Sequence, residues 1–325
     1  MKIHNINNDK ASCDLSYIES YLRENLHSYT YDQYKGYIAK DKEAWINYYL
    51  FRFQNVVKNP EYSLFYAIDK EELYLLGCRL ASWDKMHFGI SMANISVLYH
   101  PQNPSRTTLI ELINKMLIYF RDEAVKFASV RINGDDLTMI HLMEESGFRY
   151  YETVIWPIRS QSALPDDSYQ NVRLMNEQDL ERVMYIASHY QYRRGHFHCD
   201  RHFDQSQVDH LYAKWVKSAF ETKESIVVIE RKGEIAGYFI VNIDNDLSHH
   251  LGFKYGRMKS LALDGSFRGD GLGMLLFRGA IDYLTKAGAQ MIDSGYSTKN
   301  HISAKLHSLN NYHSVYEEIT LHFWL

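Results

Sequence analysis

Proline is scarce in this chain of 325 residues, at 5 in all, and no block of like charge interrupts it. Few prolines beside 26 tyrosines and 15 phenylalanines argue against a disordered polymer and for packed cores. No run of about 18 apolar residues occurs, so no segment reads as a membrane-spanning helix. A net charge of -4 and a pI near 6.5 give nucleic acid or an anionic membrane no purchase. The three cysteines, Cys13, Cys78 and Cys199, are odd in number and widely spaced, which excludes a disulfide framework and fits a reducing cytoplasm. The stretch from Met1 to Lys10 has no apolar signal core.

What is present points to two domains, since the length is about twice that of an ordinary one. The clearest break is the polar stretch from Ser160 to Ser168, which holds Pro165. The expected division is therefore 1–165 and 166–325. In the second half, Asp204 to Ala219 has the helical spacing Val208, Leu211, Tyr212, Trp215, Val216. Ser225 to Glu230 and Ile235 to Val241 read as a hairpin about a turn at Lys232-Gly233. Arg257 to Leu263 is a further strand, Gly271 to Ala287 a helix with Gly288 at its end, Gln290 to Asp293 a strand, Asn300 to Leu309 a helix, and Ile319 to Trp324 a final strand. This is an α+β pattern: a largely antiparallel sheet with one strand–loop–helix crossover. In the first half, Trp45, Tyr48, Tyr49, Phe51 and Phe53 suggest a packed helical lead-in.

The most informative stretch is Leu261-Ala262-Leu263-Asp264-Gly265-Ser266-Phe267-Arg268-Gly269-Asp270-Gly271-Leu272-Gly273. A strand enters a loop rich in glycine, which opens a helix. The first amides of a helix lack internal partners and, with the helix dipole, bind anions such as phosphate. Glycines let the main chain approach the anion, and Arg268 can add a charged contact. A dinucleotide-binding loop is a competing reading, with Asp293 as the ribose acid. Met274 in place of the third glycine and the short chain after Asp293 speak against it.

Arg268, Gly271 and Gly273 fit the Arg/Gln-x-x-Gly-x-Gly/Ala pattern of the GNAT superfamily of N-acetyltransferases, and this half of the chain resembles that superfamily. The resemblance extends to Asn300 at a helix start and to Asn311-Tyr312 after it. Within the superfamily, the segment from Arg193 to Asp200, Leu211 to Val216 and the closing Leu321 to Trp324 look most like the dTDP-fucosamine acetyltransferase type. In the first half, Leu80 to Ile90 and His141 to Phe148 resemble the same type, but the stretch from His100 to Arg106 has two prolines and no glycine where the phosphate loop would fall.

The resemblance implies tandem GNAT-like domains, a degenerate first copy with its helical lead-in and a catalytic second copy. It implies acetyl-coenzyme A as cosubstrate, bound by Leu263, Arg268, Gly269, Asp270, Gly271, Leu272, Gly273 and Asn300. It places a main-chain donor for the thioester carbonyl at Leu261. The superfamily often has a tyrosine acid where this chain has His307, so His307 is the expected acid and Tyr312 its reserve; a polar residue on a half-solvated helix is the plain alternative for His307. The acceptor is a small-molecule primary amine, first of all a nucleotide-linked amino sugar, met by Arg193, Arg194, His196 and His198. Arg201 belongs to the same basic loop, and His196, His198 and His249 are candidates for the base. His196, His198, Cys199 and His202 are zinc-type ligands without a known zinc spacing, so no metal is expected. A homodimer is compatible with this picture. The rivals are an acetyltransferase for an amino acid, peptide or antibiotic amine, and a non-catalytic binding protein of the same fold.

Overall fold

The computed structural model describes residues 3–5, 15–32, 34, 35, 41–160, 164, 169 and 171–325. Cys13 and most of the expected linker around Pro165 lie outside them. By compactness the chain forms two units, Met1–Thr153 with Glu317–Leu325, and Val154–Tyr316. A linear division near 165 differs from this by two strand segments, one on each side.

The first unit begins with β1 (His4–Asn5), α1 (Leu15–Asn25) and α2 (Lys42–Lys58). The lead-in helix α2 starts at Asp41, whose side chain accepts from the Glu43 amide at 3.0 Å. It buries Trp45, Tyr48, Tyr49 and Phe53, while Phe51 is half-buried. Strands β2 (Tyr62–Asp69) and β3 (Glu72–Leu80) form a hairpin, followed by α3 (Ser82–Phe88), β4 (Met92–Tyr99), α4 (Arg106–Asp122), β5 (Phe127–Asn133) and α5 (Leu137–Glu145). Leu109, Leu112, Ile113, Met116 and Phe120 of α4 are fully enclosed, as their helical spacing requires.

A long strand, β6 (Arg149–Ser160), leads into the second unit. There follow β7 (Val172–Leu174), α6 (Leu180–Tyr190), α7 (His196–Cys199), α8 (Gln205–Glu221), β8 (Ser225–Arg231), β9 (Glu234–Asp244), α9 (Asn245–Leu251), β10 (Tyr255–Leu263), α10 (Leu272–Lys286), β11 (Met291–Ser294), β12 (Tyr296–Ser297), α11 (His301–Leu309) and β13 (His313–Trp324). The expected strands and helices of this half are all present; α7, α9 and β12 were not foreseen. Strand β9 is buried on both faces. Ala236, Phe239 and Val241 meet the α10 core, whereas Ile235, Tyr238 and Ile240 meet the core under α6 and α8. Each large apolar side chain so enclosed contributes about 2 kcal/mol. Gly288, in the left-handed conformation (φ 96°), ends α10 as its sequence position suggested.

Both units share a device that matters for function. Strand β10 pairs with β11 in parallel over four register pairs, Tyr255–Met258 against Met291–Ser294, yet continues to Leu263 along β9. A bulge at Lys259 marks the point of parting. In the first unit β4 likewise pairs with β5 from Met92 to Ile95 only, then runs on to Tyr99. Each fork is closed on its far side by a strand from the other half of the sequence. Glu318–Trp324 of β13 pairs with β5, and Ile158–Ser160 of β6 pairs with β11.

Deleting residues 317–325 therefore removes an entire strand from the first unit, including the enclosed Leu321. Hydrogen exchange should show α4 losing its protection while α10 keeps it; retained protection in α4 would show that β13 is dispensable there.

Candidate active site

The glycine-rich loop sits at the open end of the fork in the second unit. Asp264 ends β10 and caps the turn beneath the loop, accepting from the Ser266 amide at 2.9 Å and its hydroxyl at 2.6 Å. Arg182 of α6 reaches the other carboxylate oxygen at 2.6 Å. Burial by itself would raise the Asp264 carboxyl, but these partners win and hold it below the ordinary range. The strand end is thus fixed before the chain turns into Arg268.

Gly269 (φ 98°) and Gly271 (φ 76°) take left-handed angles that a side chain would strain. A Cβ added at Gly269, Gly271 or Gly273 would meet nothing within 4 Å. Gly271 starts α10 and supplies no side-chain cap. The amides of the first turn of α10 are consequently left to an outside acceptor. Arg268 and Asp270 are exposed, and Arg268 touches the Tyr190 carbonyl at 3.3 Å. The residues fit a pyrophosphate: a glycine cradle, helix-start amides and one arginine.

The topologically matching helix start in the first unit is already filled. Ser105 caps α4, accepting from the Thr108 amide at 3.3 Å, and Thr108 donates to the Asp69 carboxylate at 2.7 Å. His100, fully buried, bonds Asp136 at 2.8 Å and faces the Pro101 carbonyl at 2.9 Å. Tyr49 of α2 hydrogen-bonds the Leu98 carbonyl on the outlying part of β4.

Leu261 and Leu263 lie on β10 beyond the fork, paired with Phe239 and Gly237 of β9. From Lys259 onward the β11-side edge of β10 has no strand neighbour among the described residues. Asn300 caps α11 through Oδ1, which accepts from the Ser303 amide at 3.1 Å. This leaves its Nδ2 free of that duty.

His307 is buried at 3% exposure among Tyr296, Phe277 and Tyr312, with ring centroids 4.6–5.0 Å away. Its Nδ1 meets the Ser303 carbonyl at 2.7 Å, which assigns the proton to that nitrogen. Among the described residues Nε2 has no partner that meets hydrogen-bond geometry, although the Ser294 backbone lies close enough to influence the ring. Burial pushes its pKa down to about 4, against the backbone groups of Ser303 and Ser294. The half-solvated helix position considered from sequence is therefore not what the structure shows. A ring that is neutral at pH 7, with its one N–H bound to Ser303, is poorly suited to give up a proton. Tyr312 is enclosed too, with its hydroxyl 3.0 Å from Met258 Sδ and its phenol pushed well above the usual value by burial.

The basic loop between α6 and α8 is organised by Asp209, a residue that sequence reasoning passed over. Gln191, Arg193 and His198 all reach its carboxylate. Arg194 is exposed, and its carbonyl accepts from the Cys199 thiol. His196 packs on Phe197, and His202 bonds Asp200 at 2.8 Å. No group of three or more metal-ligating side chains occurs among the described residues. His249 is exposed on α9. A second unforeseen network joins Arg257 to Asp244 (2.7 Å) and Asp293 (2.8 Å), with Tyr255 on Asp293 at 3.2 Å. Burial lifts the Asp293 carboxyl to about 6, against the pull of Arg257 and Tyr255. No sequence spacing links these residues; they meet because β9, β10 and β11 are neighbours.

With this geometry, comparison with known proteins is decisive for one half. Residues 184–310 match the acetyltransferase (GNAT) family. This match lies within the second unit. The protein is accordingly an acyltransferase, and the family typically uses acetyl-coenzyme A. No curated protein matches the sequence. Among solved structures, a GCN5-related N-acetyltransferase from Sphaerobacter thermophilus is similar over 86% of this chain and 85% of its own, at 13% identity and a TM-score of 0.58. A tandem GNAT protein from the clavulanic acid biosynthesis pathway is similar over 99% and 98%, at 11% identity and 0.56. Identities this low establish the shared fold, including its tandem form. No described helix is long and apolar enough to cross a membrane.

The depressed His307 value sets a pH dependence. Its neutral form is favoured by folding, so the contribution is complete above about 6.5 and is lost as pH falls through about 4. The loss should reach about 3 kcal/mol. His307→Phe should flatten the fall in urea midpoint between pH 7 and 4; an unchanged slope would show that other groups cause it.

Proposed function

We propose that the second unit moves the acetyl group of acetyl-coenzyme A onto a primary amine, in the first instance that of a nucleotide-linked amino sugar. The observation that carries this reading is the uncapped, glycine-lined start of α10 at the mouth of a strand fork. The pyrophosphate would rest on the amides from Gly269 to Gly273, with Arg268, Asp270 and Leu272 at its rim. The pantetheine arm would follow the free edge of β10 past Leu263, with Asn300 Nδ2 opposite. The Leu261 main-chain amide would polarise the thioester carbonyl, a type of contact that contributes about 3–4 kcal/mol.

Of the two enclosed candidates for protonating the departing sulfur, Tyr312 carries the transferable proton. Its present acceptor, a thioether, is weak. His307 is read as the wall that positions Tyr312. Arg193, Arg194 and Arg201, all exposed around the basic loop, supply charge for a diphosphate on the acceptor, with His196 and His198 nearer the amine. The first unit is read as a degenerate copy that takes no cofactor, because Ser105, Thr108 and Asp69 already occupy its helix start.

Gly273→Asp places a carboxylate where the phosphate would sit, at a position where acid suits the helix dipole. Calorimetry should show coenzyme A affinity reduced at least about tenfold with the melting temperature preserved. Undiminished affinity would displace the phosphate site from this loop. Tyr312→Phe should leave coenzyme A affinity alone and lower turnover by about tenfold or more; equal turnover would free Tyr312 of any proton role. A thermal-shift panel of nucleotide sugars against amino acids tests the acceptor class.

A further inference from the structure

The basic loop holds two buried acceptors that lack a donor. Gln191 is 6% exposed, and the side chain of His198 is 2% exposed. Gln191 Nε2 and His198 Nε2 both approach Asp209 Oδ1, at 2.9 and 3.0 Å, while Arg193 holds Oδ2 at 2.7 Å. An ionised carboxylate only accepts, which fixes both donor roles. In the neutral ring His198 therefore carries its proton on Nε2, which leaves Nδ1 as a bare lone pair, and Gln191 is left with Oε1. Neither Nδ1 nor Oε1 has a hydrogen-bond partner among the described residues, and both are shut from solvent. Each such orphan is unfavourable to bury, a cost that a ligand N–H removes.

The position is as telling as the chemistry. The segment carrying both side chains is held at one end by the Tyr190 carbonyl against Arg268 of the phosphate loop. At the other, Cys199 lies 3.9 Å from Lys299, the neighbour of Asn300. It is thus anchored at both ends, beside Arg268 and beside Asn300. His198 is further fixed by stacking on Tyr212 at 5.6 Å.

We propose that His198 Nδ1 and Gln191 Oε1 receive the primary ammonium group of the acceptor, and that His198 takes its first proton. This rests on the acetyl-transfer reading above. An ammonium N–H bond breaks and the proton passes to Nδ1, giving an imidazolium whose charge Asp209 matches. The freed lone pair forms the amide bond at the acetyl carbonyl carbon as the carbon–sulfur bond breaks. The sulfur leaves with that electron pair and takes the Tyr312 proton; the second amine proton restores Tyr312. His198 then yields its proton to water, so ammonium and thioester become amide, thiol and one proton. Asp209 acts only through His198 and is a positioning residue.

His198→Gln keeps an N–H for Asp209 and removes the basic nitrogen. Thiol release with galactosamine should fall about 100-fold, with unchanged coenzyme A affinity. Release with hydroxylamine, which is already neutral at pH 7, should fall far less. Equal losses for the two nucleophiles would overturn the assignment. A second readout needs no turnover: the nitrogen NMR shift of His198 Nδ1 should be that of an unprotonated ring nitrogen and should move with methylammonium but not with tetramethylammonium, which has no N–H. A protonated Nδ1 in the free protein, or a resonance indifferent to methylammonium, would also overturn it. Either failure leaves coenzyme A affinity and its loss in Gly273→Asp as measured, so the receiving site and the acetyl-transfer reading fail separately.

Discussion

The parting of β10 from β11 after Met258 and Ser294 is the constraint on which the second unit depends. A strand with one neighbour retains main-chain groups that a sheet would otherwise consume. In the β10 stretch from Lys259 to Leu263 those groups border an opening rather than a ladder. The bulge at Lys259 bends the strand away, and β12 draws the following chain toward β6 instead. An exposed strand edge is ordinarily a hazard. Here the basic loop is anchored nearby, at Arg268 through the Tyr190 carbonyl and at Lys299 through Cys199.

Holding that opening in shape falls to buried charge. Asp264 is held ionised by Arg182 and Ser266, so the strand end cannot drift relative to α6. Breaking such a pair by removing one partner costs about 3–5 kcal/mol, because the other charge stays enclosed. Arg257 similarly fastens Asp244 of β9 to Asp293 of β11 across β10. The result is a frame around main-chain groups that have no strand neighbour on the β11 side among the described residues. The first unit shows the same frame put to a different use: Ser105, Thr108 and Asp69 satisfy its helix start internally, and Tyr49 of the lead-in takes a carbonyl of the outlying strand.

Much of this was legible in the sequence because it is local. Gly269, Gly271 and Gly273 announce a helix start without a cap, Asn300 and Asp204 announce helix starts with one, and the apolar spacing of α8 and α10 marks their inward faces. The unreadable part is what depends on strand neighbours and loop closure. Asp209 lies in a helix whose pattern suggests only an exposed acid, yet three side chains from the preceding loop converge on it. His307 reads as a polar residue on a short helix, and only the aromatic rings of Phe277, Tyr296 and Tyr312 around it reveal an enclosed neutral imidazole. Residues 317–325 read as the end of the second domain, and nothing in their alternation tells which sheet they will join.

That exchange of strands bears on how the chain is made. A ribosome delivers the first unit's helices and five of its strands early, but the strand that covers β5 emerges only after the whole of the second unit. Until then the β5 edge is an open template, able to pair with whatever extended segment comes near. Maturation of the N-terminal half is thereby tied to synthesis of the second unit, and a chain cut short within that unit would carry its own signal for aggregation and disposal.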